Sequence, residues 1–231
     1  MKRRNKWFWM FFVIFVIAVG VGAGYYFGQK DREQVYEDLA EENKKPQEET
    51  KQEEQTTDEP AEEEKTVEIP IDFSSLKEKN SEVYAWIRIP DTQVDYPILQ
   101  RASDDLYYLD HTIYGHNMRD ETMFGGLKSY MDESYMKAHS QILIYTPEHI
   151  LTYQVFAAVT YDNRHILNSF DFESEEGFQE YLDSLKEVRN MSSYIDSDVE
   201  VTTEDKIITL STCNGNSDQR FLVEAVLVNE E

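Results

Sequence analysis

The chain has 231 residues, with 46 Asp and Glu against 22 Lys and Arg, a formal net charge of −24 and a single cysteine. So acidic a composition offers no basic stripe to meet phosphates, which excludes a nucleic-acid partner, and one cysteine excludes an internal disulfide. No Cys/His group has metal-ligand spacing and no Gly-rich phosphate loop is present, so neither a metal nor a cofactor is expected.

Met1 to Lys6 carries four positive charges, and Trp7 to Phe27 follows without one charged residue. That run is long enough to cross a hydrocarbon core of about 30 Å as a helix. The basic cluster before it and the acidic segment after it predict a cytoplasmic N-terminus and an external C-terminus. Trp7, Trp9, Tyr25 and Tyr26 fall near the two ends, where aromatic side chains suit the interface. A cleaved signal peptide is the competing reading, but its apolar core usually spans only about 7–15 residues. Residues 1–28 are therefore expected to form an uncleaved anchor, placing a single-pass protein in the cell membrane.

Between Gln29 and Glu68 the chain carries sixteen Asp and Glu and six Lys and Arg, with almost no bulky apolar residue after Leu39. Such a segment cannot bury enough surface to offset its ordering entropy, and like-signed charge keeps it extended. Residues 29–70 are expected as a disordered acidic tether. Residues 71–231 suffice for one domain of ordinary size.

Asp72 to Val83 predicts a short helix with Ser74 or Asp72 as its cap. Tyr84–Ile89 and Val94–Gln100 predict strands joined by the turn Pro90–Gln93, and Pro97 marks the second as an edge or irregular strand. Asp104–Leu109 suggests a helical turn presenting aromatic rings. Thr112 to Met118 is a short apolar stretch that breaks at Gly115 and opens into a polar loop at His116. Met123–Tyr130 and Glu133–Ala138 predict short helices, and Gln141–Thr146 with Leu151–Val159 a hairpin around Pro147–His149. Ser174 to Val188 has Phe178, Tyr181, Leu182 and Leu185 at helical spacing among charged residues.

The last elements carry the chemistry. Lys206–Cys213 and Arg220–Val223 are β-branched and apolar, and the loop between them holds Asn, Gly, Ser and Asp, which predicts strand, turn, strand. Such a return brings Cys213 and Arg220 to one edge of a sheet. The thiolate is the reactive form of cysteine, and a nearby cation favours it. An arginine donor can also hold the oxyanion formed when a thiolate attacks an amide carbonyl. For a lone cysteine the plainer alternative is a small buried hydrophobe. The base that a nucleophile needs is His116, at the end of its own predicted strand. His111, His139, His149 and His165 stand in polar or turn-like contexts and are read as surface or local hydrogen-bonding residues.

Tyr114-Gly115-His116-Asn117-Met118, Met123-Phe124-Gly125-Gly126-Leu127 and Thr209-Leu210-Ser211-Thr212-Cys213 with Arg220 downstream occur in one order. Before them come Trp86-Ile87-Arg88-Ile89-Pro90-Asp91-Thr92 and Val94-Asp95-Tyr96-Pro97-Ile98-Leu99-Gln100. In this combination the chain, from about Phe73 to Val228, resembles the class B sortases, membrane-anchored cysteine transpeptidases of Gram-positive bacteria. The resemblance implies a mostly β fold, a closed antiparallel or mixed barrel with peripheral helices, one of them before the Cys-bearing strand. It implies Cys213 as nucleophile, His116 as general acid and base, and Arg220 as oxyanion and substrate stabiliser. Ser211, Leu109, Asp105 and Ile166 match positions that contact substrate. Class B enzymes commonly carry Asn where Asp105 stands here, and core packing explains Leu109 and Ile166 equally well.

The implied partners are secreted proteins with a C-terminal sorting signal and a lipid-linked peptidoglycan precursor that supplies the acceptor amine. One departure stands out. The family has a further stretch, with a strand of Gly-x-Ile-Phe type, between the equivalent of Tyr107–His111 and the strand that ends at His116. Here Asp110-His111 runs straight into Thr112, so one strand is expected to be missing. A catalytically impaired, membrane-tethered peptide-binding domain is therefore the alternative function. An unrelated adhesion domain is a third reading, against which the retention of Cys213, His116 and Arg220 counts.

Overall fold

The computed structural model describes residues 68–100, 112–164, 166–188 and 193–231. The predicted anchor and nearly all of the predicted tether lie outside these residues, as do Asp104–Leu109, His111 and His165. Among the described residues, no helix is long and apolar enough to cross a membrane.

Helix α1 (Phe73–Lys79) begins at Asp72, whose carboxylate accepts from the N–H groups of Ser74 and Ser75 and satisfies two of the donors that a helix start leaves open. It buries Phe73 and Leu76. Strands β1 (Val83–Arg88) and β2 (Asp95–Leu99) then pair antiparallel, with Trp86 opposite Pro97. The Asp95 carboxylate pins the pair, accepting from Trp86 Nε1 at 2.6 Å and Arg88 Nε at 3.0 Å. Strand β3 (Thr112–Tyr114) leads through a loop to a 3-10 helix (Gly125–Met131) and α2 (Glu133–Ala138). Strands β4 (Gln141–Tyr145) and β5 (Ile150–Asp162) form the expected hairpin, with β5 continuing past Val159. The short α3 (Ile166–Ser169) precedes α4 (Glu175–Glu187), which is capped by the Ser174 hydroxyl accepting from Gly177 N–H at 3.1 Å. The two-residue β6 (Tyr194–Ile195), then β7 (Ile207–Cys213) and β8 (Gln219–Glu230), complete the domain.

The strands follow the order β2-β1-β4-β5-β8-β7-β3, with β6 against β5. The β3–β7 pair is parallel and the other pairs are antiparallel. Register shifts at Thr152/Tyr153 and Val155/Ala157, where β5 crosses β8, bend the sheet. The path curls into a nearly closed, mostly β barrel with peripheral helices, in line with the expected fold. No pairing among the described residues joins β2 to β3, the strands on either side of residues 101–111. Pro97, which can donate no ladder bond, accordingly lies on an end strand of this path.

Both faces of the central strands are covered. Ile208, Leu210, Phe221, Val223 and Ala225 point into the barrel with Ile87, Ile142 and Leu127. Ile207, Leu222 and Val226 point outward, into a second layer built with Phe178, Tyr181, Leu182 and Leu185 of α4. Burial on two sides is why β7 and β8 show near-continuous apolar runs in place of alternation.

That outer layer holds one carboxyl group. Glu224 is fully buried and accepts hydrogen bonds from Tyr181 Oη and Thr209 Oγ1, each at 2.8 Å. Burial pushes the carboxyl up from 4.5 to about 7, while the two hydroxyl donors pull against the rise. Between these values the folded protein retains a proton that the unfolded chain has released. The associated stability is therefore fully present below about pH 4.5 and is lost as pH climbs through 7. In urea titrations the wild type should lose on the order of 3 kcal/mol relative to Glu224→Gln between pH 4.5 and 8. Parallel pH–stability curves for the two proteins would show that Glu224 carries no such shift.

Candidate active site

The site is assembled where three strands end together. On β7 the residues Ile207, Thr209, Ser211 and Cys213 share one face, and Ile207 and Thr209 show that it is the outer one, turned towards α4. On β8 the matching residues are Val226, Glu224, Leu222 and Arg220, each opposite its partner in β7. The backbone bond from Leu227 N–H to Lys206 O marks a hydrogen-bonded pair at the far end of this ladder. Alternation from there makes Thr209–Glu224 and Cys213–Arg220 non-hydrogen-bonded pairs, the kind in which facing side chains come closest. Both pairs touch: Thr209 with Glu224 as described, and Arg220 Nη1 donating to Cys213 Sγ at 2.9 Å.

Strand β3 supplies the histidine. Thr112 pairs with Thr209 and Tyr114 with Ser211 in the parallel ladder. The Gly115 N–H donates to Ser211 O at 3.1 Å, which carries that register one step past the strand. Gly115 thus lies beside Thr212, and His116 follows beside Cys213. The outer face therefore reads as two rows, Thr112–Thr209–Glu224 and Tyr114–Ser211–Leu222, and then the pair Cys213–Arg220, with which the β3 register, extended past the end of that strand, aligns His116. The first row is buried. At the other end, His116 and Cys213 are exposed and Arg220 is half-buried.

The loops are held as well as the strands. Asp120 accepts from the N–H and hydroxyl of Thr122, and the Phe124 N–H returns to His116 O at 2.9 Å, closing the loop behind the histidine. Glu121 and Met123 adopt left-handed φ angles of 68° and 53° inside it, a strained conformation for non-glycine residues. Across the site, the Asn214–Asp218 loop turns through Gly215 at φ 93° and is braced by Asn214 and Asn216 side chains accepting from backbone N–H groups. Asn163 clamps its far end, bonding to Ser217 O and Asp218 O.

An exposed thiol with a guanidinium on one side and an imidazole-bearing strand end on the other is an arrangement suited to acyl transfer. A sortase-domain family model matches residues 108–228, about half of the chain. Sortase B of Listeria monocytogenes serovar 1/2a (strain ATCC BAA-679 / EGD-e) is 30% identical over 199 residues, covering 71% of this chain and 76% of that protein. The chain belongs to the class B sortases.

Solved structures agree with this placement of the sortase. A Staphylococcus aureus sortase B–substrate complex superposes with a TM-score of 0.56 at 28% identity, covering 68% of this chain and 84% of that one. Sortase B from B. anthracis in complex with AAEK1 gives 0.62 at 26% identity, covering 88% and 99%. The chain is accordingly a cysteine transpeptidase of the family that anchors surface proteins.

Of the residues singled out from sequence, Cys213 and Arg220 are in contact, and His116 follows the strand that pairs beside Cys213's own. Ser211 lies in the neighbouring row and is 2% exposed. Ile166, on α3, packs into the outer layer with Phe178 and Tyr181. Leu109 and Asp105 lie outside the described residues. His139 and His149 are away from the site, His139 Nδ1 lying 3.3 Å from Pro90 O and His149 beside Glu230. Sequence reasoning assigned no role to Asn117, which donates to Cys213 O, to Lys128, which donates to Asn214 O, or to Thr212, which donates to Gly115 O. Asn117 stood inside a quoted motif, whereas nothing in the pattern distinguishes Lys128 from any other helix lysine.

Gly115 is fixed by space. A β-carbon there would overlap the ring of Phe124, which is buried in the barrel core. Gly115→Ala should therefore cost about 1–3 kcal/mol and lower turnover by displacing His116. Thermal unfolding and turnover measured together check this, and a variant with wild-type values in both would show that Phe124 can step aside.

Proposed function

We propose that this sortase is held in the membrane by Trp7–Phe27, stands off the surface on an acidic tether over residues 29–70, and sorts secreted proteins to the cell wall. The Cys213 thiolate attacks the Thr carbonyl of a C-terminal sorting signal, forming a C–S bond and a tetrahedral oxyanion that Arg220 stabilises. Collapse of this intermediate breaks the following C–N bond. His116 gives its proton to the leaving amine and leaves a thioester on Cys213. An amino group of the peptidoglycan precursor then attacks the thioester and His116 takes its proton, releasing the joined product and the thiolate. The exposed Cys213 in contact with Arg220, with His116 aligned by the β3 register, is the observation that carries this reading. A membrane anchor suits it, because the secreted substrate and the lipid-linked acceptor both start at the membrane. Ser211, Leu109, Asp105 and Ile166 are the proposed substrate contacts.

The test uses the full-length protein in detergent micelles with quenched fluorescent peptides of the Asn-Pro-x-Thr and Pro-Pro-x-Thr types. Cleavage after Thr, a Cys213-dependent thioester in the mass spectrum and transfer to an added primary amine are expected. Cys213→Ala should abolish all three, and Arg220→Ala should lower kcat about 10²- to 10³-fold, as loss of an oxyanion donor does. Peptide binding by a folded protein that forms no adduct would point instead to a binding domain.

A further inference from the structure

Three successive residues at the end of β7 are held by side chains. Thr212 Oγ1 donates to Gly115 O at 2.8 Å, Asn117 Nδ2 donates to Cys213 O, and Lys128 Nζ donates to Asn214 O at 3.2 Å. Ladder geometry explains the need. Cys213 and Arg220 form a non-hydrogen-bonded pair, so the Cys213 carbonyl points away from β8, towards the side of β3. Strand β3 ends at Tyr114, however, and offers no further strand backbone there. A carbonyl left without a donor at the lip of the site would loosen the end of the catalytic strand. Asn117, one residue past His116, supplies that donor. Lys128 reaches across from the 3-10 helix to the next carbonyl along. It is half-buried, and its ammonium is a charged donor, stronger than a neutral one.

We propose that Asn117 and Lys128 are positioning residues that clamp the Cys213–Asn214 step, so that Sγ stays against Arg220 and beside His116. The proposal rests on the transpeptidase reading of this site. Neither side chain reaches the thiol; both act through the backbone that carries it. The clamp also joins three separate segments, the loop after β3, the 3-10 helix and the end of β7, at the one place where the sheet ladder has stopped.

The test compares Asn117→Ala, Lys128→Met and Lys128→Arg with Lys137→Met in the full-length protein. Lys137 lies on α2, bonded to Glu133, and serves as a control for loss of one positive charge. Asn117→Ala and Lys128→Met should each lower kcat about 10- to 100-fold, the cost of misplacing a reacting group by a fraction of its contact distance, with KM little changed. Lys128→Arg should recover most of the loss, and Lys137→Met should match wild type. Hydrogen exchange followed by mass spectrometry gives a readout that needs no turnover. The segment from Ser211 to Gln219 should exchange faster in Lys128→Met than in wild type or Lys137→Met, while the α4 segment stays protected. If wild type forms no thioester, the transpeptidase reading fails and exchange alone decides the clamp. Wild-type kcat in Lys128→Met of an active enzyme, or unchanged exchange of that segment, overturns it.

Discussion

The parallel pairing of β3 with β7 is only three residues long, yet the site depends on it. Cys213 and Arg220 are brought together by a local antiparallel return, which needs little from the rest of the fold. His116 has no such route. It comes to this end of the sheet only because Thr112, Ile113 and Tyr114 dock beside Thr209, Leu210 and Ser211, with Gly115 and Thr212 bonded across a sequence separation of 97. A slip of one residue in that ladder would turn every side chain of β3 to the other face and, carried on to His116, point it into the barrel. Ile113 resists the slip by packing against the interior cluster.

The same outer face that ends in the Cys213–Arg220 pair begins in a buried carboxyl. Along β7 it passes from Thr209, buried against Glu224 and Tyr181, through buried Ser211, to exposed Cys213. Helix α4 covers the first part of the face and leaves the last open. Covering a carboxyl is costly, and here both oxygens are met by hydroxyl donors from different elements, which is the condition under which such burial is tolerated. The helix is thus attached to the sheet by directional bonds as well as by apolar area.

Much of this was legible beforehand because local chemistry settled it. Asp72, one of two expected candidates, caps the first helix, Ser174 at the start of the expected helical span caps α4, and the spacing of Phe178, Tyr181, Leu182 and Leu185 gave α4 its buried side. The β7–β8 return followed from two apolar runs around an Asn-Gly-Asn-Ser-Asp loop. What was not legible is set by tertiary partners. The extension of β5 to Asp162 and the two residues of β6 exist because β8 and β5 offer edges to pair with. Asn117 and Lys128 matter through carbonyls whose direction only the ladder register defines. Glu224 did leave a trace, one acidic residue inside Phe221–Val228, but its partners lie on two other elements. The family strand expected to be missing would stand between His111 and Thr112, and among the described residues no pairing joins β2 to β3.

The brevity of β3 also bears on the order in which the domain acquires its chemistry. A three-residue ladder joining segments 97 positions apart rewards its long loop closure with few contacts, and so it is expected to form after the hairpins that enclose it. Strands β7 and β8, joined by a five-residue loop, set Cys213 against Arg220 early, but the histidine arrives only with the completed sheet. With the roles proposed above, a partly folded chain carries a thiol with no acid–base partner. In the proposed mechanism acyl transfer therefore waits on that long-range pairing, which ties activity to completion of the sheet.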